Sequence, residues 1–159
     1  MTDATGAGRT DRASRLVRAP RGALYRALLD PQAVATWLPP RGMTGEVLAF
    51  EAREGGAYRI RLSYGSTDHR AAGKTSKHAD VAEGVFVSLD PDRRVVQRVE
   101  FESADPAFAG AMTISWILAD APGGTEVAAL CENVPSGISP QDHAEGLRSS
   151  LENLAAFVE

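Results

Sequence analysis

The last twenty-one residues of the chain read as one long amphipathic helix, and they follow a series of short alternating strands. Ser139 is typical of an N-cap residue, Pro140 fits the first helical position, and Asp142 favours the positive end of the helix dipole. The apolar residues of this segment recur at spacings of four, three and four, on one helical stripe: Leu147, Leu151, Leu154 and Val158. Because such a stripe has to be buried, this order of elements predicts a sheet wrapped around a single long helix.

Two short helices are predicted ahead of most of the strands. The first opens at Ala19-Pro20, and the second begins after Asp30, which can cap it with Pro31 in the first turn. Pro39-Pro40 forbids continuation of the second helix. The residues expected to share the inward faces of these helices are Leu24, Tyr25, Leu28, Val34 and Trp37.

The segments around the two helices have the period of two that is typical of strands. Gly55-Gly56, Asp90-Pro91-Asp92-Arg93 and Pro122-Gly123-Gly124 supply the turns between them. An edge strand is expected at Ala13–Arg18, and the six later strands at Glu46–Phe50, Tyr58–Tyr64, Val81–Leu89, Val95–Phe101, Met112–Leu118 and Val127–Cys131. The sequence therefore predicts an α+β fold with an antiparallel sheet of about seven strands.

Composition limits the class of protein. The chain has 159 residues, of which 43% are apolar and 24% charged, which suits one globular domain at residues 12–159 behind a loose tail at residues 1–11. A net charge of −4 argues against a nucleic-acid partner. The single cysteine, Cys131, cannot form an intrachain disulfide, so a reducing cytoplasm is expected. No apolar run approaches the ~20 residues that span a bilayer, so no membrane partner is expected.

Several apparent motifs lack the context that their chemistry requires. Gly73-Lys74-Thr75 ends like a phosphate-binding loop, but Asp68 occupies the position of the required first glycine. His69 and His78 lie in one polar loop without the spacing of metal ligands on a shared element. Neither a metal nor a cofactor is therefore predicted.

The loop Gly65–Asp80 is long for a connection between sheet strands. It is interpreted either as a lid over a binding site or as a solvated loop, and the flanking strands can also extend into it. As a lid, it would present Arg70, Lys74, Lys77 and His78 to a carboxylate or phenolate ligand.

The order of elements resembles the START-like helix-grip (SRPBCC) superfamily, and within it the proteins related to the C-terminal domain of the activator of the ninety-kilodalton heat-shock protein ATPase. The resemblance covers about Ala13–Glu159 and depends on the order and spacing of several segments. Those segments are Ala19-Pro20, Asp30–Trp37, Gly55–Arg59, Gly84-Val85-Phe86 and Gly146–Leu154. The resemblance implies a cavity between the terminal helix and the sheet, on a scaffold that serves carriers, cyclases and chaperone regulators alike.

Strand parity then predicts which side chains line that cavity. Polar residues in the apolar register are the strongest functional candidates: Gln97 as a hydrogen-bonding group, Glu83 as an acid or anchor, and His143 at the cavity mouth. The face of strand 81–89 that points inward is left open, because Glu83 and Phe86 lie on opposite faces. The full predicted lining is Trp37, Tyr58, Ile60, Leu62, Glu83, Phe86, Gln97, Val99, Phe101, Met112, Ile114, Trp116, His143, Leu147 and Leu151.

Three functions are compatible with this arrangement. The first is binding of a small, mostly apolar or aromatic molecule in the cavity. The second is an enzyme of cyclase, dehydratase or hydrolase type, with Glu83 or His143 as general acid or base. The third and least favoured is regulation of a chaperone ATPase, which requires a protein partner. A homodimer is compatible with all three.

Overall fold

A computed structural model describes residues 9–40, 42–64 and 79–159, which form an antiparallel sheet with three helices against one face. The strands are β1 (Arg9–Val17), β2 (Met43–Phe50), β3 (Ala57–Tyr64), β4 (Ala79–Asp90), β5 (Arg94–Phe101), β6 (Met112–Ala121) and β7 (Gly124–Val134). The helices are α1 (Arg21–Leu28), α2 (Pro31–Trp37) and α3 (Pro140–Val158), with a 3₁₀ turn at Pro106–Phe108. The predicted α+β helix-grip fold is confirmed.

The sheet is a meander of β2 to β7, and the first strand, β1, is added at the β7 edge. Its order is β1-β7-β6-β5-β4-β3-β2, so β5 is the central strand and β1 and β2 are the edges. β1 begins at Arg9, four residues before the predicted start, and Arg9 already pairs with Val134. The end of the predicted tail thus belongs to the sheet, while its residues 1–8 lie outside the described residues.

Helix α3 lies between β1 on one side and α2 on the other. The Oγ of Ser150 donates to the carbonyl oxygen of Leu38 at 2.6 Å, and the Nδ2 of Asn153 donates to that of Pro39 at 2.9 Å. Leu151 and Leu154 are fully buried, as their spacing predicts. The central strands are farther from the α3 backbone than β1 and α2 are, and side chains occupy the intervening layer. No helix in the described parts of the chain is both long and apolar enough to cross a bilayer.

Helices α1 and α2 close one end of this layer. Asp30 caps α2 by accepting from the backbone N–H groups of Gln32 and Ala33, as predicted. At the end of α2, the Trp37 indole N–H donates to the carbonyl oxygen of Ala27 at 2.9 Å. Its ring meets Trp116 of β6 edge to face at 5.3 Å. Because the only polar atom of the Trp37 side chain is paired, this large side chain can be buried at that end without an unsatisfied donor.

The predicted loop Gly65–Asp80 is shorter at its C-terminal end, because β4 already begins at Ala79. Its residues 65–78, which include Arg70, Lys74, Lys77 and His78, lie outside the described residues.

Candidate functional site

The register of the strands arranges the sheet face beneath the helices, here called the inner face, in rows. Trp116 lies on this face, since it packs against Trp37. Residues two apart on a strand share a face, and Cα partners on neighbouring strands share it too. One row therefore runs across five strands: Asp11 on β1, Cys131 on β7, Ile114 on β6, Gln97 on β5 and Phe86 on β4.

Two members of this row keep accessible surface at the middle of the sheet. Gln97 and Ile114 are half-buried although both face the helices, one from the central strand and one from its neighbour. Residues of interior strands have backbone hydrogen bonds on both sides, so such surface requires room on the inner face. Leu62, Ala82 and Phe101 are half-buried farther along the same face. The buried row of Val99 and Met112 separates these three residues from Gln97 and Ile114. We therefore call only the part of the inner face at Gln97 and Ile114 the inner-face space.

The inner-face space is bordered by buried side chains. Val99 and Met112 lie in the row next to that of Gln97 and Ile114 and are almost fully buried. Towards α1 and α2 it is closed by Trp37 and Trp116, which are 2% and 4% exposed. Open depressions elsewhere are of a different kind, such as one of about 600 Å³ between Pro39, Met43 and Phe157, because they face solvent directly.

The side chain of Gln97 is held by one hydrogen bond and keeps its donors available. The Trp116 indole N–H donates to the Gln97 Oε1 at 2.9 Å. Because an indole N–H is a donor only, this bond assigns the oxygen and leaves the NH₂ group on the other side of the amide. In the described part of the chain that NH₂ group has no acceptor. A carbonyl or hydroxyl oxygen in the inner-face space is a suitable partner.

A second polar group lies where the start of β1 meets the first turn of α3. The Nδ1 of His143 lies 2.6 Å from the Oδ2 of Asp11, and Arg9 donates to both carboxylate oxygens of Asp11 at 2.9 Å. The Asp11 and His143 side chains are only 13% and 14% exposed. The pKa of Asp11 is lowered mainly by the hydrogen bond from Arg9, with a further contribution from His143 against the opposing effect of burial. Asp11 is therefore an ionised acceptor that orients the imidazole.

Cys131 lies beside Asp11 in the row but is not a nucleophile. Its side chain is fully buried, and burial, with the nearby charge of Asp11, raises the pKa of its thiol to about 12. Since the thiolate is the reactive form, Cys131 acts here as a small apolar side chain.

Tyr58 belongs to the packed part of the inner face. Its ring lies across β4 above Gly84, and its hydroxyl donates to the carbonyl oxygen of Arg98 at 3.4 Å. Burial raises the pKa of this phenol far above its usual value. Tyr58 is thus a neutral wall residue that also packs against Phe86.

All but one of the predicted lining residues lie on the inner face, on the buried stripe of α3 or, for Trp37, at the end of α2 against that face. The exception is Glu83, whose carboxylate is 61% exposed on the outer face and lies 3.7 Å from the Arg59 guanidinium. Phe86 is the inward residue of that strand and is fully buried. A β-bulge between Phe86 and Ser88 returns Leu89 to the inner face, which gives Glu83 and Leu89 opposite faces despite their shared parity. The contact of the other lining residues with a ligand stays a prediction.

Three polar residues of this region are missing from the sequence-based list. Arg9 and Asp11 were assigned to the tail, because Arg9–Ala13 has no apolar alternation. Asp80 is buried on the inner face beside Leu62, at a position that sequence assigns to the loop. Arg9, Asp11 and Ala13 alternate with exposed residues, as expected of a strand. Because two of the three are charged, hydrophobic periodicity does not reveal this strand.

Comparison with known proteins supports the fold and gives the family. The model of the family described as Activator of Hsp90 ATPase homolog 1-like protein matches residues 18–159. A crystal structure of a protein from Chromobacterium violaceum is 33% identical, with a TM-score of 0.83 over 94% of this chain and 96% of that one. An AHSA1-like protein from Aeromonas hydrophila is 15% identical, with a TM-score of 0.69 over 94% and 92% of the two chains, and shows the same fold. No curated protein matches the chain.

Proposed function

The chain belongs to the family of Activator of Hsp90 ATPase homolog 1-like proteins, and from this premise we propose that it binds a small, mostly apolar or aromatic molecule in the inner-face space. The observation that carries the proposal is the accessible surface of Gln97 and Ile114, which face α3 from the middle of the sheet. Apolar side chains with a few directed polar groups are typical of small-molecule sites.

A ligand larger than the inner-face space would require α3 to move. The nearly buried Val99 and Met112 close the inner-face space on one side. The backbone of α3 approaches β1 and α2 most closely, not the central strands. Displacement of α3 would therefore have to break contacts with β1 or α2, and the first turn is held at the row of Ile114 and Gln97 by the hydrogen bond between His143 and Asp11.

Native mass spectrometry of freshly purified protein tests the proposal without a guess at the ligand. We expect a population heavier than the bare chain by the mass of one small molecule, which disappears in Ile114→Trp because the larger ring fills the inner-face space. Thr113→Trp is the matched control, since Thr113 is the adjacent residue and points to the outer face. A bare chain, together with no increase of melting temperature across a panel of aromatic compounds, would contradict the proposal.

Acid–base catalysis in the same space is a second candidate, favoured by the hydrogen bond between Asp11 and His143. An imidazole oriented by a carboxylate is a common general base. Glu83 is excluded from this role by its place on the outer face, so His143 alone remains of the two predicted residues. Unchanged turnover of an identified substrate by His143→Gln would contradict this assignment.

Regulation of a chaperone ATPase, which the family description names, stays a prediction for this chain. Pull-down with the purified chaperone, combined with a measurement of its ATPase rate, tests it.

A further inference from the structure

The imidazole of His143 presents one nitrogen that no described residue engages. Its Nδ1 is engaged by Asp11, and among the residues that the structure describes the Nε2 has no hydrogen-bond partner. The side chain is only 14% exposed and lies one turn before Leu147 on the buried stripe of α3. A polar atom on a largely buried side chain is stabilised by a group that pairs with it.

The protonation of the ring follows from its neighbour. Arg9 donates to both oxygens of Asp11, and this holds the carboxylate in its ionised form, which only accepts hydrogen bonds. The hydrogen atom of the Nδ1–Asp11 bond must therefore belong to the imidazole. In neutral His143 the Nε2 then carries a lone pair and acts as an acceptor.

We infer that the ligand of the inner-face space carries a hydroxyl group, and that this group donates its hydrogen to the Nε2 of His143. The inference rests on the proposed function, because it assigns a polar contact within the proposed site. Asp11 is a positioning residue that fixes the tautomer, and His143 is the residue that contacts the ligand. A carboxylate in the same position would face a lone pair, with the negative charge of Asp11 behind it.

Three naphthalene derivatives separate these alternatives by isothermal titration calorimetry at pH about 8, above the ordinary pKa of a histidine side chain. The probes are 2-naphthol, which donates a hydrogen bond, 2-methoxynaphthalene, which cannot, and 2-naphthoate, which is an anion. We expect 2-naphthol to bind about tenfold more tightly than 2-methoxynaphthalene, the effect of one hydrogen bond, and 2-naphthoate to bind most weakly.

The variant His143→Phe keeps an aromatic ring and removes the acceptor, and it leaves Arg9 as a partner of Asp11. We expect it to bind 2-naphthol and 2-methoxynaphthalene with dissociation constants within about twofold of each other. Asp11→Asn is a second variant, which no longer imposes one tautomer and should reduce the preference for 2-naphthol by at least half.

The outcomes separate this inference from the proposed function. Three results would overturn the role of His143 and leave ligand binding intact. They are equal binding of 2-naphthol and 2-methoxynaphthalene by the unmodified protein, a preference for 2-naphthol that survives in His143→Phe, and tightest binding of 2-naphthoate. If none of the three probes binds at millimolar concentration and the purified chain carries no retained molecule, the proposed function is contradicted and the inference with it.

Discussion

At the scale of single residues, Gly84 shows how a missing side chain shapes the inner face. A Cβ atom at this position would lie 2.8 Å from the hydroxyl oxygen of Tyr58 and would collide with the backbone carbonyl of Arg98. The glycine in the interior of β4 is thus required by the close approach of the Tyr58 ring, one of the known reasons for glycine inside a strand. The Arg98 carbonyl cannot move easily to make room for a Cβ atom at Gly84, because it belongs to the backbone.

Substitution of Gly84 is therefore expected to be costly. We predict that Gly84→Ala lowers the free energy of unfolding by about 2–3 kcal/mol, the range of overpacked cores. Gly146→Ala is the matched control: Gly146 lies inside α3, where an added Cβ would make only an ordinary van der Waals contact with Pro40 at 3.9 Å, so added helix propensity should stabilise the protein by about 0.5–1 kcal/mol. Urea unfolding of both variants measures the difference, and equal effects would contradict the packing argument.

The carboxylate of Asp11 gives a pH-dependent prediction. Its pKa in the folded protein lies below the unfolded value, so its contribution to stability is complete above the unfolded pKa of about 4 and is lost as the pH falls through the folded pKa. We expect Asp11→Asn to be about 1–2 kcal/mol less stable than the unmodified protein at pH 7, a gap that narrows as the pH falls below about 5.

Urea unfolding as a function of pH measures this gap. Glu132→Gln removes the same charge from an exposed position on β7 and should change stability by less than about 0.5 kcal/mol. A gap for Asp11→Asn that stays constant down to pH about 3 would argue against the ionised partner of Arg9 and His143.

At the scale of elements, the sequence predicts each helix and strand but not every boundary or face. α2 and α3 begin at the caps that Asp30 and Ser139 provide, because capping is a local interaction between neighbouring residues. The inward face of β4 was left open, since a β-bulge depends on the partner strand and leaves no mark in a single sequence. The sequence also does not predict the role of Asp11, because its partner His143 lies 132 positions away along the chain.

The cap of α2 can be tested on its own. Asp30→Ala removes the acceptor for two backbone N–H groups of this short helix and should cost about 1 kcal/mol. Asp30→Ser retains an acceptor at the same position and should cost less than half as much. Since α2 positions Trp37, near-UV circular dichroism should report the looser helix in Asp30→Ala, and identical melting curves for the two variants would be inconsistent with a capping role.

At the scale of the whole molecule, Cys131 reports on the integrity of the core. The thiol is fully buried in β7, with a pKa raised to about 12 by burial, and neither access nor thiolate formation is available in the folded state. We predict that a disulfide reagent labels the native protein only through unfolding, and that a bound ligand slows this labelling. In denaturant the same reagent should label one thiol per chain at once. Rapid labelling in native buffer would show that β7 opens locally.

The first strand and the last helix of the described chain are neighbours, and this has a consequence for the order of assembly. The Arg18 N–H donates to the Glu159 carboxylate across 141 positions, and among the described strands β1 pairs with β7 alone. Contacts between such distant positions form slowly, because a long loop must close before any of them is gained. On the ribosome, where the N-terminus emerges first, β1 must wait for β7 to be synthesised, and the inner face stays uncovered until α3 has left the exit tunnel. The nascent chain is thus most prone to misassembly after the strands have been synthesised and before α3 has emerged, when the edge of β7 and the apolar side chains of the central strands are still exposed.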